Sequence, residues 1–188
     1  MHIDSRLNFN THVDAISKKA NSINAFLRRN FNHCSRKVKQ ATYTTYVRPV
    51  LEYAAAAWDP HTRRNIDKLE MVQRRGARYV TGDYGQTSSV SAMLDYLQWP
   101  TLERRRTHIR LSMLYRIRFG LVDINWSDHL TAVTTSTRGH GSRFFLPCCS
   151  LQVYASSFFP RTGRDWNVLP FDPALSASLD AFKLKLLE

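Results

Sequence analysis

The sequence predicts a mainly α-helical protein: a helical bundle preceded by a short β edge and followed by a smaller module of helices, short strands and irregular chain. Apolar residues recur at steps of three and four through most of the first 120 residues, which is typical of amphipathic helices. Proline and glycine fall where such stretches start or stop. Beyond residue 122 the helical period gives way to clustered aromatic residues. The predicted parts are residues 1–10, 11–122 and 123–188.

The amino-terminal residues have a strand-like pattern before the helical pattern begins. Residues 3–10 switch between apolar and polar side chains, which indicates the end of a strand or a hairpin. Thr11 is predicted to cap the first helix, which should end near Asn32. The predicted buried stripe of this helix consists of Val13, Ile16, Ala20, Ile23 and Leu27, with Lys18 and Arg29 on the opposite face.

Two further helices are predicted before residue 83. One begins after Ser35, and Pro49 should kink or break it because proline lacks an amide hydrogen and clashes with the preceding turn. The other begins at Asp59-Pro60, a favoured order for starting a helix, and ends at Gly82. One side of this helix is predicted to carry the apolar and small residues Ile66, Leu69, Gly76, Ala77 and Val80. The other side is predicted to carry the basic residues Arg64, Lys68, Arg75 and Arg78.

The later elements are shorter, apart from one long helix. Helices are predicted from Ser89 to Leu97 and from Leu102 to Phe119, the second closed by Gly120. Residues 123–150 indicate loop and short strand, with 134–141 as a polar connector. The aromatic cluster is Tyr154, Phe158, Phe159 and Trp166, and a last helix uses Leu179, Phe182 and Leu186. We expect Phe158, Phe159 and Trp166 to pack in a core rather than to stack on bases.

The charge of the chain is one-sided. The net charge is +12, and residues 1–120 hold 21 of the 27 Lys and Arg but 9 of the 15 Asp and Glu, so the whole excess lies there. Such a balance favours a polyanion, most simply nucleic acid, with a membrane surface as a weaker alternative because the apolar stripes suit a shared core. The candidate nucleic-acid-binding residues are Arg28, Arg29, Lys37, Lys39, Arg64, Lys68, Arg74, Arg75, Arg78 and Arg104. For any one of them alone, a solvated helix face is the better interpretation, whereas together they form a surface that can pair with phosphates.

Patterns for catalysis, metal binding and secretion are missing from the sequence. It contains no Asp-Asp or Asp-x-Asp pair for two metal ions, no phosphate-binding loop with its lysine, and no H-E-x-x-H or G-x-S-x-G motif. Cys34, Cys148 and Cys149 have neither zinc-ligand spacing nor an even count for a disulfide framework. We therefore expect a non-enzyme without a cofactor or metal of its own, located in the nucleus or cytoplasm, not secreted and not bound to a membrane.

Several stretches resemble one family in sequence order. They are IDSRLNFNTHVDAISKKAN, FLRRN, YTTYVRPVLEYAAAAWDPHT, IDKLEMVQRRGARYVTGDY, YLQWPTLERRR and LSMLYRIRFGLVDI, followed by TRGH, SFFPRTGRDWNVLP and SLDAFKLKL. Together they resemble the region after the polymerase palm in jockey-type LINE reverse transcriptases, the enzymes of non-long-terminal-repeat retrotransposons. The resemblance covers the chain from Ile3 onward.

The resemblance implies a role for each part. Residues 1–10 would be the last edge of the palm, and the helices from 11 to about 120 would be the thumb, lying along the minor groove of a template–primer duplex. The [FY]-A-D-D aspartates of the palm lie upstream in this family, so the chain would lack catalysis, whereas the parent enzyme would use Mg²⁺. The implied partners are an RNA–DNA hybrid or duplex and the fingers and palm of the polymerase.

Two functional hypotheses remain open at this point. The first is binding of a template–primer duplex without sequence preference, because a hybrid near A-form offers shape and phosphates in a wide minor groove. The second is a translated remnant, or a structural or interaction fragment, that does not bind nucleic acid.

Overall fold

The computed structural model describes residues 8–133, 140–146 and 148–187. Most of the predicted strand end at 3–10 and of the predicted connector at 134–141 lies outside these ranges. Within the described part, Asn8 and Phe9 belong to no regular element and Asn10 already begins a helix.

The chain divides into two compact units, Met1–Arg105 and Arg106–Glu188. The division falls inside one helix, α7 (Leu102–Arg118), and so lies upstream of the boundary predicted between residues 122 and 123. The reason is that Leu111, Leu114 and Tyr115 of α7 belong to the apolar core of the second unit.

Between residues 8 and 105, all the regular elements of the first unit are helical. In chain order it contains α1 (Asn10–Asn30), α2 (Arg36–Thr42), a π-helical turn (Tyr43–Val47), α3 (Arg48–Glu52), α4 (Ala55–Trp58), α5 (Arg63–Thr81), α6 (Val90–Tyr96) and the start of α7. The long helices α1 and α5 pack against each other, and α2, α3 and α6 surround this pair.

The buried stripe of α1 differs from the predicted one. It consists of Val13, Ser17, Ala20, Asn24 and Leu27, while Ile16 and Ile23 are only half-buried. Ser17 and Ala20 are small, and Asn24 Nδ2 donates to the Val72 carbonyl oxygen at 3.4 Å, so α5 can lie against this stripe and leave the isoleucines at its flank. The helix also begins before Thr11, which is not its cap, and ends at Asn30 rather than Asn32.

The helix predicted to kink or break at Pro49 is irregular just before the proline but continues past it. The π-helical turn comes directly before α3, in which Pro49 lies in the first turn. A π turn is wider than an α turn, and it leaves room for the carbonyl that a proline ring would otherwise meet. The break follows at Ala54, a non-glycine residue with φ 53°.

Local hydrogen bonds and backbone conformation define both ends of α5 and the start of α6. α5 begins at Arg63 with Thr62 in the cap position, not at Asp59-Pro60, because the Asp59 amide still donates to the Ala55 carbonyl oxygen at the end of α4. As predicted, Gly82 ends α5 with φ 76°. Ser89 caps α6, its Oγ accepting from the Ala92 amide at 3.3 Å.

The core of the first unit contains a close contact between a glycine and an aromatic ring. A Cβ atom placed on Gly76 of α5 would lie 2.2 Å from Cε2 of Tyr43. Tyr43 is fully buried, and its ring stacks on Trp99 with centroids 4.4 Å apart. The glycine therefore lets the π-helical turn reach the surface of α5.

The second unit mixes short helices with one small sheet. After α7 come a 3₁₀ turn (Trp126–Asp128), β1 (Thr131–Ala132), β2 (Phe144–Phe145), α8 (Gln152–Ala155), α9 (Phe158–Asn167), a second 3₁₀ turn (Pro173–Leu175) and α10 (Leu179–Lys185). The two strands pair antiparallel, Thr131 opposite Phe145. This composition confirms the predicted mainly α fold with a minor strand component.

Aromatic side chains build the core of the second unit. Trp166 and Phe182 are fully buried in it, and Phe158 and Phe159 are half-buried against it. Tyr154, by contrast, is exposed. The prediction that Phe158, Phe159 and Trp166 pack in a core is therefore confirmed.

Candidate nucleic-acid interface

α1 and α5 run side by side in the same direction. Asn65 Nδ2 donates to Asn10 Oδ1 at 2.6 Å, Lys68 pairs with Asp14, and Arg75 Nη1 donates to Asn21 Oδ1 at 2.9 Å. The residue numbers of the partners rise together along both helices. The two helices are therefore parallel neighbours, and these contacts follow one seam between them.

Basic residues follow this seam on both helices. Steps of three and four residues keep side chains on one side of a helix, and such steps link Asp14, Lys18, Asn21, Ala25 and Arg28 on α1. The same steps link Arg64, Lys68, Met71, Arg75 and Arg78 on α5. We call Lys18, Arg28, Arg64, Lys68, Arg75 and Arg78 the basic seam.

The basic seam is long and carries little compensating charge. The fourteen steps from Arg64 to Arg78 correspond to roughly 21 Å along the helix axis. The one acid at these stripe positions is Asp14, which pairs with Lys68; both side chains are partly exposed, so the pair adds little to stability. The other five members keep the seam strongly positive.

A groove opens at the carboxyl end of the basic seam. It has a volume of about 340 Å³. Its walls are Asn21, Asn24, Ala25, Arg28, Arg75, Arg78, Tyr79 and Tyr84, none of which is acidic. Arg78 Nη1 donates to the Gly85 carbonyl oxygen at 3.0 Å, which fixes this guanidinium beside the loop after α5.

That loop carries a carboxylate, but it is engaged within the loop. Asp83 Oδ1 accepts from the Gly85 amide at 2.9 Å and from Ser88 Oγ at 2.7 Å. These two hydrogen bonds lower the pKa of Asp83 below its usual value, and the one from Gly85 has the larger effect.

Tyr79, in the wall of the groove, is buried. Burial raises its pKa, and its hydroxyl oxygen lies 3.1 Å from Thr42 Oγ1.

A second face of α5 has mixed charge. Arg63 pairs with Asp67 at 3.0 Å and lies 3.6 Å from Glu103, and Glu70 Oε1 accepts from the Glu103 amide. Arg74 follows Glu70 by one turn on this face. Arg63 therefore lies between two carboxylates, and Arg74 shares a face with Asp67 and Glu70, unlike the arginines of the basic seam.

The structure brings together half of the predicted binding residues. Arg28, Arg64, Lys68, Arg75 and Arg78 lie on the basic seam. The others lie elsewhere: Arg29 beside it on α1, Lys37 and Lys39 on α2, Arg74 on the mixed face, and Arg104 in the first turn of α7. Lys18 was not among the predicted residues, although its spacing from Asn21 and Arg28 places it on the seam.

Metal binding and membrane insertion have little support among the residues that the structure describes. Within 8–133, 140–146 and 148–187, no three His, Cys, Asp or Glu side chains are grouped so that they could hold a metal ion. No helix in that part of the chain is both long and apolar enough to cross a bilayer. The basic seam itself can donate forked guanidinium hydrogen bonds to phosphate oxygens.

Comparisons of the chain with protein-family models, with curated proteins and with solved structures found no match. The functional interpretation therefore depends on the charge and geometry of the first unit.

Proposed function

We propose that the first unit binds the sugar–phosphate backbone of a nucleic-acid duplex through the basic seam, without reading base sequence. The observation that carries this proposal is the alignment of six Lys and Arg on one side of two parallel helices, with Asp14 as the acid among them. Each phosphate neutralised by such a side chain releases counterions, which supplies sequence-independent affinity.

The dimensions of the basic seam suit a duplex backbone. A duplex carries about one phosphate charge per 1.7 Å of its axis, so a seam of roughly 21 Å meets several phosphates at once. Arginine contributes most of the positive charge, and its planar fork matches two phosphate oxygens. Recognition of a base sequence would instead need side chains that reach the base edges in a groove of the duplex.

The sequence resemblance to LINE reverse transcriptases extends this proposal to a particular duplex. A thumb holds the template–primer duplex, so the ligand would be an RNA–DNA hybrid or a related A-form duplex. In this role the chain binds and does not polymerise. The fingers and palm of the polymerase would supply the metal-dependent chemistry.

The first prediction concerns the dependence of binding on salt. If about five phosphates are contacted, the logarithm of the association constant should fall with the logarithm of the salt concentration with a slope of about −4 to −5. Fluorescence anisotropy with labelled RNA–DNA hybrids of two unrelated sequences, each titrated at several salt concentrations, measures this slope. The two sequences should give similar affinities. Binding that is absent at low salt, or that does not change with salt, would favour the remnant or the interaction fragment instead.

The second prediction separates the basic seam from net charge. Arg75→Ala with Arg78→Ala should weaken hybrid binding by at least about tenfold, because two charged hydrogen bonds to phosphate are lost. The salt slope should become shallower by about two. The melting temperature should move little, because Arg75 is exposed and Arg78 half-buried, and each gives up one hydrogen bond to a neutral acceptor.

A variant with the same charge change serves as the control. Arg74→Ala with Arg104→Ala removes two exposed arginines that lie off the seam. It should retain most of the affinity and the steeper salt slope. Equal losses in the two double variants would show that net charge alone determines binding, and the seam would then have no special role.

A further inference from the structure

The groove at the end of the basic seam has features that binding to a duplex backbone does not require. It combines three guanidinium groups, from Arg28, Arg75 and Arg78, with the side chain of Tyr84, which is 49% exposed. A groove of about 340 Å³ lies at the small end of ligand-pocket volumes, roughly 300–1,000 Å³, and is far too small for a duplex.

We propose that this groove binds one unpaired nucleotide next to the duplex, with its base stacked on Tyr84 and its phosphate on the guanidinium groups of Arg75 and Arg78. The inference rests on the proposed function, since the seam would deliver the duplex end to the groove. Stacking on an aromatic ring tolerates every base, which agrees with binding that does not read sequence.

Tyr84 is the tyrosine of the groove that offers an accessible ring. Tyr79 is only 3% exposed, and its hydroxyl oxygen lies 3.1 Å from Thr42 Oγ1, so it forms part of the wall. Tyr84 lies on the loop after α5 with about half of its surface open. The side chain of Tyr84 is therefore accessible to a planar base, whereas that of Tyr79 is not.

The residues on both sides of Tyr84 are fixed. Asp83 accepts from the Gly85 amide and from Ser88 Oγ, and the Gly85 carbonyl oxygen accepts from Arg78. These contacts hold the loop beside α5 and fix its position relative to the guanidinium of Arg78. Because the loop backbone is held in this way, only the side chain of Tyr84 needs ordering when a base stacks on it.

The guanidinium groups retain donors for a phosphate. Each arginine has five N–H donors, and Arg75 and Arg78 each direct one nitrogen to a neutral acceptor, Asn21 Oδ1 and the Gly85 carbonyl oxygen. No carboxylate lines the groove, and the nearby carboxylate of Asp83, which interacts with Arg78, accepts its hydrogen bonds from Gly85 and Ser88. An anionic group next to a planar ring is therefore the ligand chemistry that the groove fits best, and a nucleotide combines both.

The test compares three labelled hybrids of the same sequence. One is blunt, and the other two carry a short single-stranded overhang at one or the other end of the labelled strand. The wild-type chain should bind one of the overhang ligands about tenfold more tightly than the blunt one, as one stacked base would provide. Tyr84→Leu should abolish this preference and leave affinity for the blunt hybrid unchanged.

Two further variants separate stacking from general effects. Tyr84→Phe keeps the ring and should keep the preference for the overhang. Tyr53→Leu removes a tyrosine that is 82% exposed and lies outside the groove, and it too should keep the preference.

The outcomes distinguish this inference from the proposed function. Equal binding of blunt and overhang ligands by the wild-type chain, or a preference that survives Tyr84→Leu, would overturn the nucleotide site while leaving duplex binding by the seam intact. If neither ligand is bound at low salt, both proposals fail together.

Discussion

Trp166→Ala is expected to destabilise the second unit by about 3–5 kcal/mol, the usual cost of truncating a buried tryptophan. Its ring is fully buried, with centroids 5.7 Å from Phe182 and 5.8 Å from Phe144. Its Nε1 donates to the Ser142 carbonyl oxygen at 2.9 Å, so the truncation removes a hydrogen bond as well as apolar contacts. Urea unfolding followed by circular dichroism measures the loss.

An exposed neighbour provides the control for this variant. Val168, two residues further along, is 78% exposed, and Val168→Ala should change the free energy of unfolding by less than about 0.5 kcal/mol. Trp166→Phe should give an intermediate loss, because a ring remains but the indole N–H does not. Similar stability of Trp166→Ala and Val168→Ala would contradict the position of Trp166 in the core.

Gly76→Ala is expected to destabilise the first unit, although alanine is the better helix former. Helix propensity alone would stabilise α5 by about 1 kcal/mol. The added methyl group would lie 2.2 Å from the ring of Tyr43, which stacks on Trp99 and cannot move aside without disturbing it. Overpacking of this kind typically costs about 1–3 kcal/mol, and the severity of this overlap points to the upper part of that range, so we expect a net loss of about 2 kcal/mol.

A double-mutant cycle tests whether Tyr43 causes the loss. In the background of Tyr43→Leu the ring is absent, and Gly76→Ala should then cost less or become stabilising. Thermal or urea unfolding of the four proteins gives the coupling energy. A stabilising effect of Gly76→Ala in the wild-type background would mean that propensity decides at this position and that the contact with Tyr43 is not tight.

Features that depend on local chemistry could be predicted from the sequence. Gly82 ends α5 because it adopts a positive φ, and Ser89 caps α6 with its own hydroxyl. Asp59-Pro60 offered a similar local signal, but the Asp59 amide is engaged by the preceding short helix. The π-helical turn before Pro49 could not be predicted from the sequence, and through this turn the helix continues past the proline.

The candidate site could be predicted only one helix at a time. The spacing of Arg64, Lys68, Arg75 and Arg78 placed them on one side of α5. Which side of α1 lies beside them depends on tertiary packing, and so the pairing of Lys68 with Asp14 could not be read from the sequence. The position of Tyr84 beside the arginines depends on the hydrogen bonds of its loop, which also involve residues of α5.

The parallel arrangement of α1 and α5 builds the basic seam from distant parts of the chain. Arg75 and Asn21, which meet across the seam, are separated by 54 residues in sequence. Parallel helices cannot be joined by a tight turn, so α2 to α4 must form the return connection before the seam exists. Contacts between such distant segments form late because the intervening chain must be ordered first. A growing polypeptide that has completed α1 therefore carries Lys18 and Arg28 but not the complete basic seam, which exists only when α5 has docked.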